Sequence, residues 1–148
     1  MKKALTLAAS VIMTIIIFGM SGASGEESAS LSVQVANIVA DILDFIAPEN
    51  TIAFADLHAL VRKGAHVLEY ALLGIAYASA FRAWELPFWP VFFLGIGIAL
   101  LDEASQALAL DRGPSFMDAL LYDAPGYLMG AGVIGLIQNK KRQKNNVS

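Results

Sequence analysis

Apolar and polar positions fall in long blocks along this chain. After Met1-Lys2-Lys3 it runs from Ala4 to Met20 without a charge, then through the small residues Ser21-Gly-Ala-Ser-Gly25 to Glu26-Glu27. A basic start, an apolar stretch and small residues fit either a cleaved signal peptide or a retained signal-anchor. The run is at the short end of what crosses a bilayer. We read it as a retained anchor. Either way, the residues that follow lie outside the cytoplasm.

From 28 to 47 the pattern changes. Leu31, Val35, Ile38, Val39, Ile42, Leu43 and Ile46 recur at helical spacing, with Ser32, Gln34, Asn37, Asp41 and Asp44 between them. The two aspartates argue against a simple spanning helix. The segment reads as an amphipathic helix lying in the outer interface, or packed on the membrane bundle, and Pro48-Glu-Asn50 ends it. A second span is expected from about Gly64 to Phe81, closed by Arg82 to Pro87. A third runs from about Phe88 to Leu110, apolar in its first half and polar in its second. After Asp111-Arg-Gly-Pro114, a fourth runs from about Ser115 to Ile137. Gly126, Gly130 and Gly135 on that last span allow close approach of a neighbouring helix. The expected fold is all-α integral membrane, with about four transmembrane helices plus an amphipathic interfacial helix. The expected segments are 1–25 (anchor), 26–57 (outer loop and amphipathic helix), 58–138 (transmembrane core) and 139–148 (basic tail).

Composition agrees. The chain is 57% hydrophobic and 16% charged, whereas soluble domains run near 45–50% and roughly 25%. A net charge of -3 gives no reason to expect a nucleic-acid partner. The absence of cysteine excludes disulfides, thiolate metal sites and a cysteine nucleophile. Of the 10 Lys and Arg residues, Lys2, Lys3, Arg82, Lys140, Lys141, Arg142 and Lys144 fall on one side of the drawn membrane. Arg62, Lys63 and Arg112 fall on the other. The bias puts both termini in the cytoplasm.

This threading places polar groups from three distant segments at one depth. His66, Glu69 and Tyr70 start the second span and share one helix face. Asp102, Glu103 and Gln106 end the third. Ser115, Asp118 and Asp123 begin the fourth, with Arg62, Lys63 and Arg112 at the outer boundary. A carboxylate inside a span costs about 2.5–3.5 kcal/mol, so such groups are paired or functional. Arg112 is expected to grip Glu103 or Asp118 with two hydrogen bonds. Ser115, with Asp118 three residues on, reads as a helix cap rather than a nucleophile. His58, Trp84, Trp89, Tyr122 and Tyr127 read as interfacial or bundle side chains.

Two strings are recognisable. Arg62-Lys-Gly-Ala-His66-Val-Leu-Glu69-Tyr70-Ala-Leu-Leu-Gly74 resembles the first signature of the VanZ-like family. Asp102-Glu-Ala-Ser-Gln106, followed by Arg112-Gly-Pro-Ser115-Phe-Met-Asp118, resembles its second. The likeness covers roughly residues 58 to 135. Family members commonly carry Asn or Asp four residues after the position of Asp118. Here Tyr122 stands there and Asp123 follows at the fifth, a rotation of about 100° on a helix. Either a local distortion near Pro125 restores Asp123 to that face, or the contact is absent.

The resemblance implies a protein of the bacterial cell membrane, associated with the envelope and with reduced sensitivity to teicoplanin-type glycopeptides. Its expected partners are the lipid bilayer and a lipid-linked cell-wall precursor or a glycopeptide, with no nucleic acid, metal or cofactor. Ligand contacts are expected from Arg62, Lys63, His66, Glu69, Tyr70, Asp102, Glu103, Gln106, Arg112, Ser115 and Asp118. Two alternatives stand beside a binding site. One is a membrane enzyme acting on lipid-linked envelope intermediates, its acid–base group drawn from His66, Glu69 and Glu103. The other is a buried network that only fixes helix packing.

Overall fold

The computed structural model describes residues 1–22, 25–108 and 115–145. Among these, every regular element is helical and no strand occurs. Helix α1 is Lys2–Ser21, α2 is Gly25–Ile46, α3 is Phe54–Ala83 and α4 is Trp89–Gln106. Helix α5 runs through Phe116–Asp118, a π-helical turn Ala119–Asp123, and Ala124–Asn145.

Local chemistry explains these bounds. In α1 the Thr6, Ser10 and Thr14 hydroxyls donate to backbone carbonyls three or four residues earlier, at 2.9–3.2 Å. Their polarity is thus satisfied inside the helix, as an apolar solvent requires. Asn50 fastens the turn after α2, donating to Asp44 Oδ1 at 2.9 Å. Helix α3 starts about ten residues before the expected span and is 30 residues long, or about 45 Å at 1.5 Å per residue. It ends in a left-handed turn at Glu85 (φ 59), where the Leu86 N–H donates to the Phe81 carbonyl at 2.9 Å. Pro90 sits in the first turn of α4, where a missing N–H costs nothing. That helix stops at Gln106, short of the expected Leu110. Helix α5 continues past Ile137 to Asn145.

Among the described residues, three segments are long and apolar enough to cross a membrane: Lys2–Ser21, Ala29–Ile46 and Phe116–Lys140. The second of these is the segment whose sequence reads as an amphipathic helix in the outer interface or packed on the membrane bundle. Helices α3 and α4 carry the polar residues, which dilute their apolar character.

Contacts set the directions. Trp84 Nε1 donates to the Lys3 carbonyl at 3.3 Å and Thr14 meets the Tyr77 hydroxyl at 3.0 Å, so α1 and α3 run antiparallel. Gly126 faces Val67 and Gly130 faces Ala71, so α3 and α5 run parallel. Phe88 faces Gly135 and Glu103 meets Ser115, so α4 and α5 run antiparallel. Helix α2 leans on the first half of α3, where Ser32 Oγ and His58 Nε2 are 2.7 Å apart.

Small residues allow the parallel seam. A Cβ placed on Gly130 would collide with the Ala71 carbonyl, and one on Gly74 with the Tyr127 carbonyl. Backbones this close gain dispersion contacts, the chief source of helix association in lipid. Tyr70, Leu73, Val91, Tyr127 and Ala131 fill the core. Large apolar side chains such as Ile12, Leu72, Phe93, Met129 and Leu136 point outward. Small and polar groups inside with bulky apolar groups outside suit lipid as the surrounding solvent.

Candidate functional site: a buried polar cluster

The helix directions bring the end of α4 beside the middle of α3 and the start of α5. Asp102, Glu103, Gln106 and Asp123 are all buried there. His66 Nδ1 lies 3.2 Å from Asp123 Oδ1. Glu103 Oε2 accepts the Ser115 N–H at 2.6 Å, and Gln106 Nε2 donates to Glu103 Oε1 at 3.4 Å. Ser115 caps α5, its Oγ accepting the Asp118 N–H at 3.2 Å. Glu69 lies one turn from His66 and within its electrostatic reach. The three sets read from the sequence therefore meet in one place.

Asp123 settles the departure noted in the second signature. The Ala124 N–H donates to the Ala119 carbonyl, five residues back instead of four. The cause is Pro125, which has no N–H and whose ring would clash with the carbonyl four residues before it. The wider turn absorbs one extra residue. Asp123 then occupies the face that a position four after Asp118 would hold in an α-helix. The helix is distorted near Pro125, and the contact is present, made with His66.

Asp102 is the most enclosed member, with no exposed surface. The Ser21 and Tyr70 hydroxyls stand within electrostatic reach of its carboxylate, at a geometry too loose for a hydrogen bond. Neither Asp102 oxygen, nor the Tyr70 hydroxyl, nor Asp123 Oδ2 has a hydrogen-bonded partner among the described residues. Ser21 was not expected in this cluster. Its only sequence signal is a small hydroxyl residue at the end of an apolar run, which many membrane helices share.

The basic residues are placed differently. Lys63 Nζ is exposed, donates to the Tyr122 hydroxyl at 3.0 Å and sits 4.7 Å from that ring's centre. Tyr122 thereby becomes a cation partner rather than a plain bundle aromatic. Arg62 is half-buried and makes no side-chain hydrogen bond or ion pair with the described residues. Arg112 lies outside the described residues, and so does its expected pairing with Glu103 or Asp118. Among the described residues, no group of three or more His, Asp or Glu side chains is arranged to hold a metal ion.

Among the described residues the cluster is rich in acceptors and poor in cations. Among the described residues of the cluster, His66, held by Asp123, is suited to shuttle a proton, and so are the carboxyl groups beside it. Both Glu103 oxygens are taken by donors of the chain.

No curated protein and no solved structure matches the chain significantly. A family model described as VanZ/LLP1 matches residues 6–138, which takes in α1 from Thr6 onward and every member of the cluster. The chain belongs to the VanZ/LLP1 family, and it is a VanZ-like membrane protein.

Proposed function

We propose that the protein is a multi-pass protein of the bacterial cell membrane whose polar cluster forms a pocket facing outward. The pocket binds a polar group of a lipid-linked or cell-wall ligand, and binding lowers sensitivity to teicoplanin-type glycopeptides. One observation carries this reading. Tyr70 and Asp102 are fully buried, yet the tyrosine hydroxyl and both carboxylate oxygens lack hydrogen-bonded partners among the described residues. An unpaired buried polar group costs about 1–3 kcal/mol, and packing alone offers no reason to keep several together. Ionisable groups within a membrane bundle are functional by default.

Orientation follows from charge. Lys2, Lys3, Arg82 and Lys140 lie at the end of the bundle away from the cluster, and the positive-inside rule makes that end cytoplasmic. Helices α1, α3, α4 and α5 are the four spans in this reading. Helix α2 rests in the outer interface, with Asp41 and Asp44 toward water.

The His66–Asp123 contact favours a second reading. A carboxylate on one imidazole nitrogen orients the ring and leaves the other for acid–base work. The protein would then be an enzyme acting on lipid-linked envelope intermediates, with His66 as its base and not Glu103.

The test is glycopeptide susceptibility in a host lacking its own homologue, with the amount of protein in the membrane measured in parallel. Wild type, Asp102→Asn, Glu103→Gln and His66→Asn are compared. The binding reading expects raised teicoplanin tolerance with wild type and Glu103→Gln, and loss with well-expressed Asp102→Asn. The enzymic reading expects His66→Asn to abolish tolerance completely. Well-expressed wild type without any effect on tolerance overturns both.

A further inference from the structure

The polar cluster does not share its donors evenly. Glu103 takes the Ser115 N–H and Gln106 Nε2, and Asp123 Oδ1 pairs with His66 Nδ1. Asp102 Oδ1 and Oδ2, Asp123 Oδ2 and the Tyr70 hydroxyl have no hydrogen-bonded partner among the described residues, although the three side chains are at most 1% exposed. Tyr70 lies one turn after His66 on the same face of α3, deeper in the bundle than the His66–Asp123 contact. Asp102 adjoins Glu103 on α4, and Asp123 ends the π-helical turn of α5. The unpartnered acceptors thus come from three helices. Lys63, three residues before His66, stays at the rim, where it is exposed and donates to the Tyr122 hydroxyl.

What the cluster lacks defines what it takes. Protonating Asp102 adds one O–H and leaves the other oxygen and the Tyr70 hydroxyl unmatched. A buried water brings two donors and no charge, while the cluster holds more carboxylates than cations among the described residues. A metal ion needs several oxygen ligands around one point, and no three His, Asp or Glu side chains among the described residues are so arranged. A phosphate or carboxylate would meet like charge. A primary ammonium is a compact cation with three N–H donors and no acceptor, and so supplies both missing things at once. Resting on the pocket reading above, we infer that the cluster receives the primary ammonium group of an aminoalkyl ligand, with Asp102 as its counter-ion and Tyr70 and Asp123 as further acceptors. Within a bundle a buried carboxylate calls for such a partner. A membrane lipid with an amino headgroup and a water-soluble amine both carry this chemistry, and the experiment separates them.

The full-length protein, purified in a maltoside detergent, is titrated calorimetrically with ethanolamine, dihexanoyl phosphatidylethanolamine and dihexanoyl phosphatidylglycerol. Binding of an amine probe is expected, with phosphatidylglycerol at least roughly tenfold weaker. Tighter binding of phosphatidylethanolamine than of ethanolamine assigns the site to a lipid headgroup, and equal binding assigns it to a soluble amine. Asp102→Asn is expected to weaken the amine by roughly tenfold or more, and Tyr70→Phe, which keeps the ring, by roughly 2- to 10-fold. Asp41→Asn on α2 removes an acidic charge away from the cluster and is expected to leave binding unchanged. Equal affinity for the two lipids, no amine binding, or amine binding indifferent to both Asp102→Asn and Tyr70→Phe overturns the inference. So does amine binding that appears only in Arg112→Gln, because the chain would then supply the cation itself. Tolerance to glycopeptides is scored separately. Amine binding that depends on Asp102 without any tolerance conferred by wild type sinks the resistance reading and keeps the amine site. Tolerance that depends on Asp102 with no amine bound does the reverse.

Discussion

Replacing Gly130 by alanine sets two effects against each other. In a free helix the change is favourable, because glycine costs about 1 kcal/mol relative to alanine. At this seam the new Cβ would overlap the Ala71 carbonyl oxygen and lie 2.7 Å from its carbon and 2.9 Å from its Cα. Carbon atoms rest at about 3.5–4.0 Å, so α3 and α5 must part by roughly 1 Å. The obstacle is backbone and cannot swing aside. A gap of that size forfeits a quarter to a half of each dispersion contact across it, and the loss extends to Val67 against Gly126 and Tyr127 against Gly74. Overpacking of this kind costs about 1–3 kcal/mol, or roughly a 5- to 150-fold shift toward the unfolded form. Gly132 is the control, because a Cβ there meets nothing within 4 Å. Reversible unfolding in mixed micelles compares the two variants with wild type. Gly130→Ala should fall below wild type, and Gly132→Ala should equal or exceed it. If the two variants behave alike, the close parallel seam is not what holds α3 to α5.

His66→Ala leaves the buried Asp123 carboxylate without its imidazole partner, and a loss of about 1–3 kcal/mol is expected in the same assay. Adding Asp123→Asn should recover part of it, and a double-mutant cycle with no coupling would disprove the pair. Pro125→Ala permits an ordinary α-turn, which rotates Asp123 by about 100° and should abolish that coupling. Glu103→Ala strands the Ser115 N–H and should cost about 1.5–3 kcal/mol, whereas Glu103→Gln keeps an acceptor and should cost markedly less. Glu85→Gly relieves a left-handed residue after α3 and should raise stability by about 1 kcal/mol, read as a higher unfolding temperature.

Much of the fold was written in the pattern of positions. Long apolar blocks broken by Pro, Gly and charge dictate helices, because lipid leaves the backbone no other way to satisfy itself. Once the blocks are threaded back and forth, their order fixes which ends meet. His66, Asp102 and Ser115 had to share one depth of the bundle whatever the details of packing, and Ser115 showed its capping role by its spacing to Asp118. The small residues Gly126 and Gly130 announced a close seam. Tertiary structure alone decided the partners. The π-turn before Pro125 turned Asp123 from a misplaced residue into the partner of His66, a shift of one position that periodicity cannot register. Glu103 proved to hold the Ser115 N–H, and Lys63 to rest on Tyr122, because charges choose partners by the geometry of neighbouring helices rather than by sign. Periodicity fixes a residue's face and depth, but the group opposite it depends on how helices from distant parts of the chain rotate against one another.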